Sequence, residues 1–344
     1  MASISDRFMS IQEGAGVPLL EVKDLLVEFR QGTRVVRAVN RVSISIQQGE
    51  TMGIVGESGS GKSVFCRSIL RLLPSPPAFT RSGEIWFGGK NLLLLSEAKM
   101  RDIRGSDIAM VFQNPMNALN PVWPIGDQVS EGLRIHQGLG ARDARTSAIE
   151  LLRKVGIPSP ELRVDEYPHQ WSGGMMQRAV IAMAIAAAPK LILADEPTTA
   201  LDVTIQDQIL ALLIDLQQVM GTTLVLVSHD MAVVAETCDR VAVMYAGAIM
   251  ELAPTAEVFR SPRHPYSLGL LQSIPKIDRD ATRLEPIPGQ PPSLSSLPPG
   301  CPFAPRCRFA APECRSAKMT LKESAPGHFT SCINPGFVAG SISA

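Results

Sequence analysis

The eight residues Gly56-Glu57-Ser58-Gly59-Ser60-Gly61-Lys62-Ser63 repeat the spacing G-x-x-x-x-G-K-S/T, and their surroundings narrow its meaning. Residues 51–55 before them are apolar and read as a buried strand, while residues 64–73 after them read as a helix closed by Pro74. Strand, glycine-rich loop and helix in that order predict a phosphate-binding loop rather than a turn with a stray lysine. Glycine lets the backbone wrap closely enough for successive N–H groups to face one anion, and the new helix adds its own unbonded N–H groups. Lys62 supplies a full positive charge for the outer phosphates, and the Ser63 hydroxyl is a hard ligand suited to Mg²⁺. Gly56, Ser58, Gly59, Ser60, Gly61, Lys62 and Ser63 are therefore candidate contacts to a nucleoside triphosphate.

With 344 residues, 45% of them hydrophobic and 19% charged, the chain can bury one large core and still carry an appendage. Its formal charge is zero, so no global field draws it to nucleic acid or anionic lipid. The longest apolar helical run, 179–188, is too short to cross a bilayer, and residues 1–16 hold no signal-peptide core. A cytoplasmic protein is expected, meeting any membrane through a partner. In that reducing compartment six cysteines argue against a disulfide framework, and the isolated Cys66 and Cys238 read as small buried hydrophobes.

Along the chain, residues 19–30 and 35–46 alternate as strands do and predict an antiparallel sheet, with 83–87 as a further strand before a Gly88-Gly89 turn. Residues 108–112 form another apolar strand, followed by Gln113. Residues 114–171 lack strand character, carry a helical pattern at 147–155, and read as a helical insertion. Ser172-Gly173-Gly174 opens an apolar helix over 175–188 that should be buried on most sides. Two short apolar strands, 191–194 and 222–227, deliver Asp195-Glu196 and Ser228-His229-Asp230, with a helix at 203–220 between them. Strands alternating with helices imply an α/β fold with a mostly parallel sheet, whose ligands sit at the carboxyl ends of the strands. From Pro262 onward, prolines such as Pro275 and Pro286 punctuate what reads as a separate extension.

Adjacent carboxylates at a buried strand end suit divided roles: Asp195 holding Mg²⁺ through water, and Glu196 orienting the water that attacks the γ-phosphate. The order phosphate loop, Gln113, Ser172-Gly173-Gly174, Asp195-Glu196 and His229 resembles that of ABC-type ATPases. The resemblance implies their P-loop NTPase fold, with an antiparallel β subdomain, a helical subdomain at about 114–176 within an ATPase domain at 18–262, and an extension at 263–344 after a tail at 1–17. It also implies that Gln113 senses Mg²⁺ and links to a membrane subunit, that His229 contacts the γ-phosphate, and that Asp202, in Ala200-Leu201-Asp202, belongs to a dimer-contacting loop. Mg²⁺ ligation would fall to Ser63, Gln113 and Asp195. Phe29 stands where the family stacks an aromatic on adenine, and it equally fits a plain strand core. The Ser172-Gly173-Gly174 signature acts in trans in this family, closing on ATP held by the opposite subunit. Trp171 and Met175 depart from its generic Leu and Gln.

Within that family the chain resembles ATP-binding subunits of bacterial dipeptide/oligopeptide permeases, of the D type. The resemblance rests on Gln113-Asn114-Pro115-Met116, Leu119-Asn120-Pro121, Tyr167-Pro168-His169-Gln170, residues 194–204, Tyr245-Ala246-Gly247 and Arg263-His264-Pro265-Tyr266. It implies a second ATPase subunit, two transmembrane permease subunits and an extracytoplasmic peptide-binding protein, at the cytoplasmic face of the membrane. The cargo stays open between peptides and nickel or another small solute. A soluble ABC ATPase acting on nucleic acid or ribosomes is the reading from a different class. Against it stand the neutral charge, the single ATPase domain, and the mere 59 residues from Gln113 to Ser172, too few for a long coiled coil.

The tail contains Cys301-x5-Cys307-x6-Cys314-x17-Cys332 in a segment too poor in apolar residues to bury much core. Four soft ligands suit a [4Fe–4S] cluster or Zn²⁺, with unligated thiols as the third reading. The spacings are wider than zinc fingers show, and the family resemblance favours the cluster. His328 is expected at the surface rather than as a ligand.

Overall fold

The computed structural model describes residues 16–199, 201–274 and 286–335. Expectations placed on residues 1–15, Ala200, Pro275 and residues 336–344 lie outside the described residues. In chain order the strands are β1 (Leu20–Gln31), β2 (Arg34–Ile46), β3 (Thr51–Val55), β4 (Ala78–Phe87), β5 (Lys90–Asn91) and β6 (Ile108–Val111). They continue with β7 (Leu191–Asp195), β8 (Thr223–Ser228), β9 (Arg240–Tyr245), β10 (Ala248–Pro254), β11 (Lys322–Ala325) and β12 (His328–Thr330). The described residues divide into two compact units, one of residues 16–47, 51–93, 228–274 and 286–335, the other of 48–50, 94–199 and 201–227.

In the first unit β2, β1, β4 and β5 form the expected antiparallel sheet. β4 begins at Ala78 rather than at residue 83, because β1 pairs with it as far as Phe29 opposite Ala78. A second set of strands runs β11-β12-β10-β9-β3, with β3 parallel to β9 and the other neighbours antiparallel. All five residues of β3 are buried, so an unbroken apolar run was required there. The helix after the phosphate loop, Lys62–Ile69, is shorter than its apolar pattern suggests. Arg71 adopts φ 53°, Leu72 N–H bonds to Arg67 C=O and Arg71 N–H to Ser68 C=O, a left-handed cap that stops the helix before Pro74.

The strands β9 to β12 were not anticipated from the sequence. β11 and β12 are short and polar, and become strands because β10 offers them an edge, with Glu251 opposite Thr330 and Leu252 opposite Phe329. Glu251 is wholly buried and organises this corner. Its carboxylate accepts from Arg263 N–H at 2.6 Å and His264 N–H at 3.0 Å, and lies 2.6 Å from His328 Nε2. His328 is therefore not a surface residue, as expected above, but 2% exposed. His264 is buried too, and loss of solvation lowers its pKa to about 3, so it stays neutral and caps the helix Pro265–Gln272 through Nδ1.

In the second unit β8, β7 and β6 run parallel, as the alternation of strands and helices predicted. Residues 114–171 contain the helices Pro115–Ala118, Ile125–Gln137, Ala141–Lys154 and Pro160–Arg163. The apolar helix spans Gly173–Ile185, with Met176, Gln177, Ala179, Val180, Ile181, Ala182, Ala184 and Ile185 buried. Trp171, the departure from the generic signature, is buried and donates Nε1–H to Glu166 at 2.8 Å, so its ring packs within the unit. Among the described residues no helix is long and apolar enough to cross a membrane.

Replacing Glu251 by Ala removes one acceptor from three groups at once and leaves the N–H groups of half-buried Arg263 and buried His264 without it. It is expected to cost about 3 kcal/mol, read as a fall in denaturant midpoint, whereas Glu251→Gln, which keeps an acceptor oxygen, should cost less.

Candidate nucleotide-binding site

The phosphate loop belongs to the first unit, and its backbone shape is forced by close neighbours. Gly56 has φ 154° and a side-chain carbon there would lie 2.1 Å from Met244 O; at Gly61, with φ 105°, it would lie 2.2 Å from Ala38 O. Only glycine fits at either place, so the loop is wedged against β2 and β9. Gly247 N–H bonds to Ser60 C=O at 2.9 Å, and Ser60 N–H to Glu57 C=O at 3.2 Å. Lys62 is 4% exposed, and its ammonium donates to Gly56 C=O at 2.7 Å and Glu57 C=O at 3.1 Å. Loop carbonyls thus hold the Lys62 side chain inside the cradle. The buried Ser60 hydroxyl has no hydrogen-bond partner in the structure, the condition of a donor whose acceptor is an anionic ligand. Both observations fit a bound triphosphate.

The same unit contains Phe29 and His229. Phe29 is half-buried on β1, opposite Val36 and Ala78. Its neighbour Glu28 is buried instead. Burial alone would raise the Glu28 pKa, but hydrogen bonds from Arg37, Arg81 and Arg30 hold it below the usual carboxylate value. His229 is exposed just past β8, ahead of the helix Met231–Thr237, which Asp230 caps by accepting from Ala232 N–H at 2.8 Å.

The second unit brings together residues that are far apart in sequence. β6 and β7 are parallel with Val111 opposite Ala194, so Gln113 and Glu196 leave adjacent strand ends. Gln113 Nε2–H donates to Glu196 Oε2 at 2.9 Å, and the Thr199 hydroxyl donates to the same oxygen at 3.0 Å. Glu196 adopts φ 46°, a left-handed conformation that costs a non-glycine residue roughly 1–3 kcal/mol and recurs at functional sites. Asp195, by contrast, is fully buried at the end of β7. Ser172 caps the helix Gly173–Ile185 by accepting from Met175 N–H at 3.3 Å. A side-chain carbon on Gly174 would meet Ile205 Cγ2 at 2.9 Å, so glycine lets this helix start against the one beginning at Val203. Asp202 is exposed at the head of that helix, and its C=O accepts from Ile205 and Gln206 N–H.

Cys66 and Cys238 are buried, as their isolation suggested. Cys301, Cys307, Cys314 and Cys332 line one small cavity with Phe303, Phe309 and Met319. Burial pushes the Cys301 thiol up to about 11 and raises those of Cys307 and Cys332. The expected metal centre gains no support from this arrangement. Among the described residues no group of three or more His, Cys, Asp or Glu is arranged as a metal site, and the four sulfurs line an apolar space instead. Sequence reasoning also missed the neighbours of Glu57: Tyr266 Oη accepts from its N–H at 2.8 Å, and Arg306 binds its carboxylate at 2.6 and 2.9 Å. An acidic residue inside a phosphate loop was the available signal, since it calls for a counter-charge.

Residues 39–199 match the ABC transporter family, and residues 250–314 match the oligopeptide/dipeptide transporter C-terminal region. The chain is 51% identical over 315 residues to a probable peptide ABC transporter ATP-binding protein of Sinorhizobium fredii, covering 91% of this chain and 94% of that one. It is equally 51% identical over 293 residues to the oligopeptide transport ATP-binding protein OppD of Bacillus subtilis, covering 85% and 82%. Among solved structures, a dimeric ATP-binding cassette in a post-hydrolysis state with ADP and phosphate is 29% identical, with a TM-score of 0.62 over 69% of this chain and 98% of that one. The chain therefore belongs to the ATP-binding subunits of the oligopeptide/dipeptide branch of ABC transporters, and it is an ATPase of that family.

Proposed function

We propose that this ATPase energises import of dipeptides or oligopeptides through a membrane permease. The observation that carries the cargo class is the 51% identity to a peptide transporter subunit across 91% of the chain, including its tail. The proposed assembly pairs the chain with a second ATPase subunit on two transmembrane permease subunits, fed by an extracytoplasmic peptide-binding protein. The chain sits peripherally on the cytoplasmic face. Met116, Val122 and Trp123 are exposed just after Gln113, 53, 72 and 48% respectively, and apolar groups there suit docking to a membrane subunit.

In the proposed mechanism the amides of residues 59–63 and the Lys62 ammonium grip the triphosphate, with Gly56 and Ser58 shaping the loop. Mg²⁺, when bound, neutralises phosphate charge; Ser63, Gln113 and Asp195 are its proposed ligands, directly or through water. Glu196 orients the attacking water, and the Gln113 and Thr199 bonds at its Oε2 fix the carboxylate for that task. His229 contacts the γ-phosphate and Phe29 stacks on adenine. Ser172, Gly173 and Gly174, with Asp202, present a helix N-terminus to the nucleotide of the opposite subunit. ATP thus joins the subunits, and its cleavage separates them.

The four tail thiols are proposed to gather around a [4Fe–4S] cluster, whose binding would displace the protons that burial favours. Protein purified anaerobically is expected to be brown and to contain iron and acid-labile sulfide; stoichiometric zinc in a colourless sample would reject the cluster.

Two variants test the mechanism. Glu196→Gln is expected to keep ATP affinity while hydrolysis falls about a hundredfold or more, with the closed dimer accumulating on a sizing column. Normal turnover would remove Glu196 from the role of orienting base. Lys62→Ala should instead lose nucleotide affinity, measured by calorimetry. Peptide uptake by vesicles holding the complete transporter should stop in both variants.

A further inference from the structure

Outside the residues assigned above, one charged cluster reaches the phosphate loop from the tail. Arg306 lies between Cys301 and Cys307 in sequence, yet its guanidinium binds the carboxylate of Glu57, the second residue of the loop, through two parallel bonds. Its side chain is 5% exposed against 28% for Glu57. The guanidinium is itself held from several sides. Nε–H donates to Pro288 C=O at 2.8 Å, one terminal nitrogen donates to Tyr245 Oη at 3.2 Å, and the group lies 5.8 Å from the Tyr245 ring centroid and 5.9 Å from that of Phe303. Tyr245, Tyr266 and Phe303 pack together with centroids 4.6 to 5.4 Å apart, so this platform is rigid.

Glu57 is held at every polar group. Its N–H donates to Tyr266 Oη, its carboxylate takes the Arg306 fork, and its C=O accepts from Lys62 Nζ at 3.1 Å. A carboxylate in a loop that must grip a triphosphate opposes binding, because the like charges repel through a partly desolvated medium. A buried, bidentate guanidinium cancels that charge.

We propose that Arg306 is a positioning residue of the phosphate loop, mounted on the cysteine-bearing tail, which acts by neutralising Glu57 so that the loop can hold a triphosphate. This rests on the ATP-binding reading of residues 56–63. The tail thereby sets nucleotide affinity without touching nucleotide.

The test is calorimetric titration of the full-length protein with Mg²⁺ and the non-hydrolysable analogue AMPPNP. Arg306→Gln is expected to bind about tenfold more weakly, a loss that shrinks as salt rises from about 0.05 to 0.5 M. The double variant Glu57→Gln/Arg306→Gln, having no charge to offset, should return to within about threefold of the unaltered protein, and Arg306→Lys should fall between. A tail contact that merely staples the fold would leave the double variant as weak as Arg306→Gln and its affinity loss insensitive to salt; either result overturns the proposal, as does unchanged affinity in Arg306→Gln. If Arg306→Gln does not fold, Glu57→Gln decides: it should bind at least as tightly as the unaltered protein, and a loss above about threefold overturns the proposal. Unaltered protein that binds no AMPPNP would instead overturn the reading of the loop itself.

Discussion

The close approach of backbone to backbone at Gly56 and Gly61 is the constraint on which the nucleotide site depends. With Met244 O and Ala38 O standing where any side chain would begin, the loop has one way to run. That path places Gly56 C=O and Glu57 C=O around the Lys62 ammonium and leaves Ser60 Oγ buried without a protein partner. Phosphate binding by amides requires such fixity, because a loop free to adopt many conformations would lose its binding energy in ordering itself.

Parallel pairing performs the same task in the second unit. Val111 opposite Ala194 aligns two strand ends from positions 83 residues apart, Gln113 and Glu196, and one hydrogen bond joins them. Ligands gather at the carboxyl ends of parallel strands because buried strands must end somewhere, and polar residues can follow only at those ends. The left-handed Glu196 shows that the turn after β7 is held in a costly shape, which is consistent with a carboxylate aimed by its surroundings.

The tail is integrated with the first unit through two charged residues. Glu251 takes the N–H groups of Arg263 and His264 together with His328, and Glu57 takes Arg306. These contacts account for Arg263-His264-Pro265-Tyr266 and Tyr245-Ala246-Gly247, stretches that the sequence supports only by resemblance. In structural terms, Tyr266 is a hydrogen-bond acceptor for the phosphate loop, and Gly247 a donor to it. The cysteines surround an apolar cavity in the same corner, so whatever they bind would sit beside the platform that supports Arg306.

From the sequence by itself came the phosphate loop, the buried strands at 51–55 and 191–194, the helix at 203–220 and the order of the polar motifs, because each rests on local spacing or an unbroken apolar run. The limits of the helix after the loop were not legible: Arg71 stops it through a left-handed cap, which apolar content does not encode. Nor were β9 to β12, whose pairing partners lie at long range, or the burial of His328, whose ring meets the Glu251 carboxylate from 77 residues earlier. Tertiary structure alone decided that Glu57 is neutralised by Arg306, 249 residues later, since a salt bridge between distant segments leaves no periodicity in either. Local chemistry is written in the order of residues, whereas the company each charge keeps is settled only when the chain closes on itself.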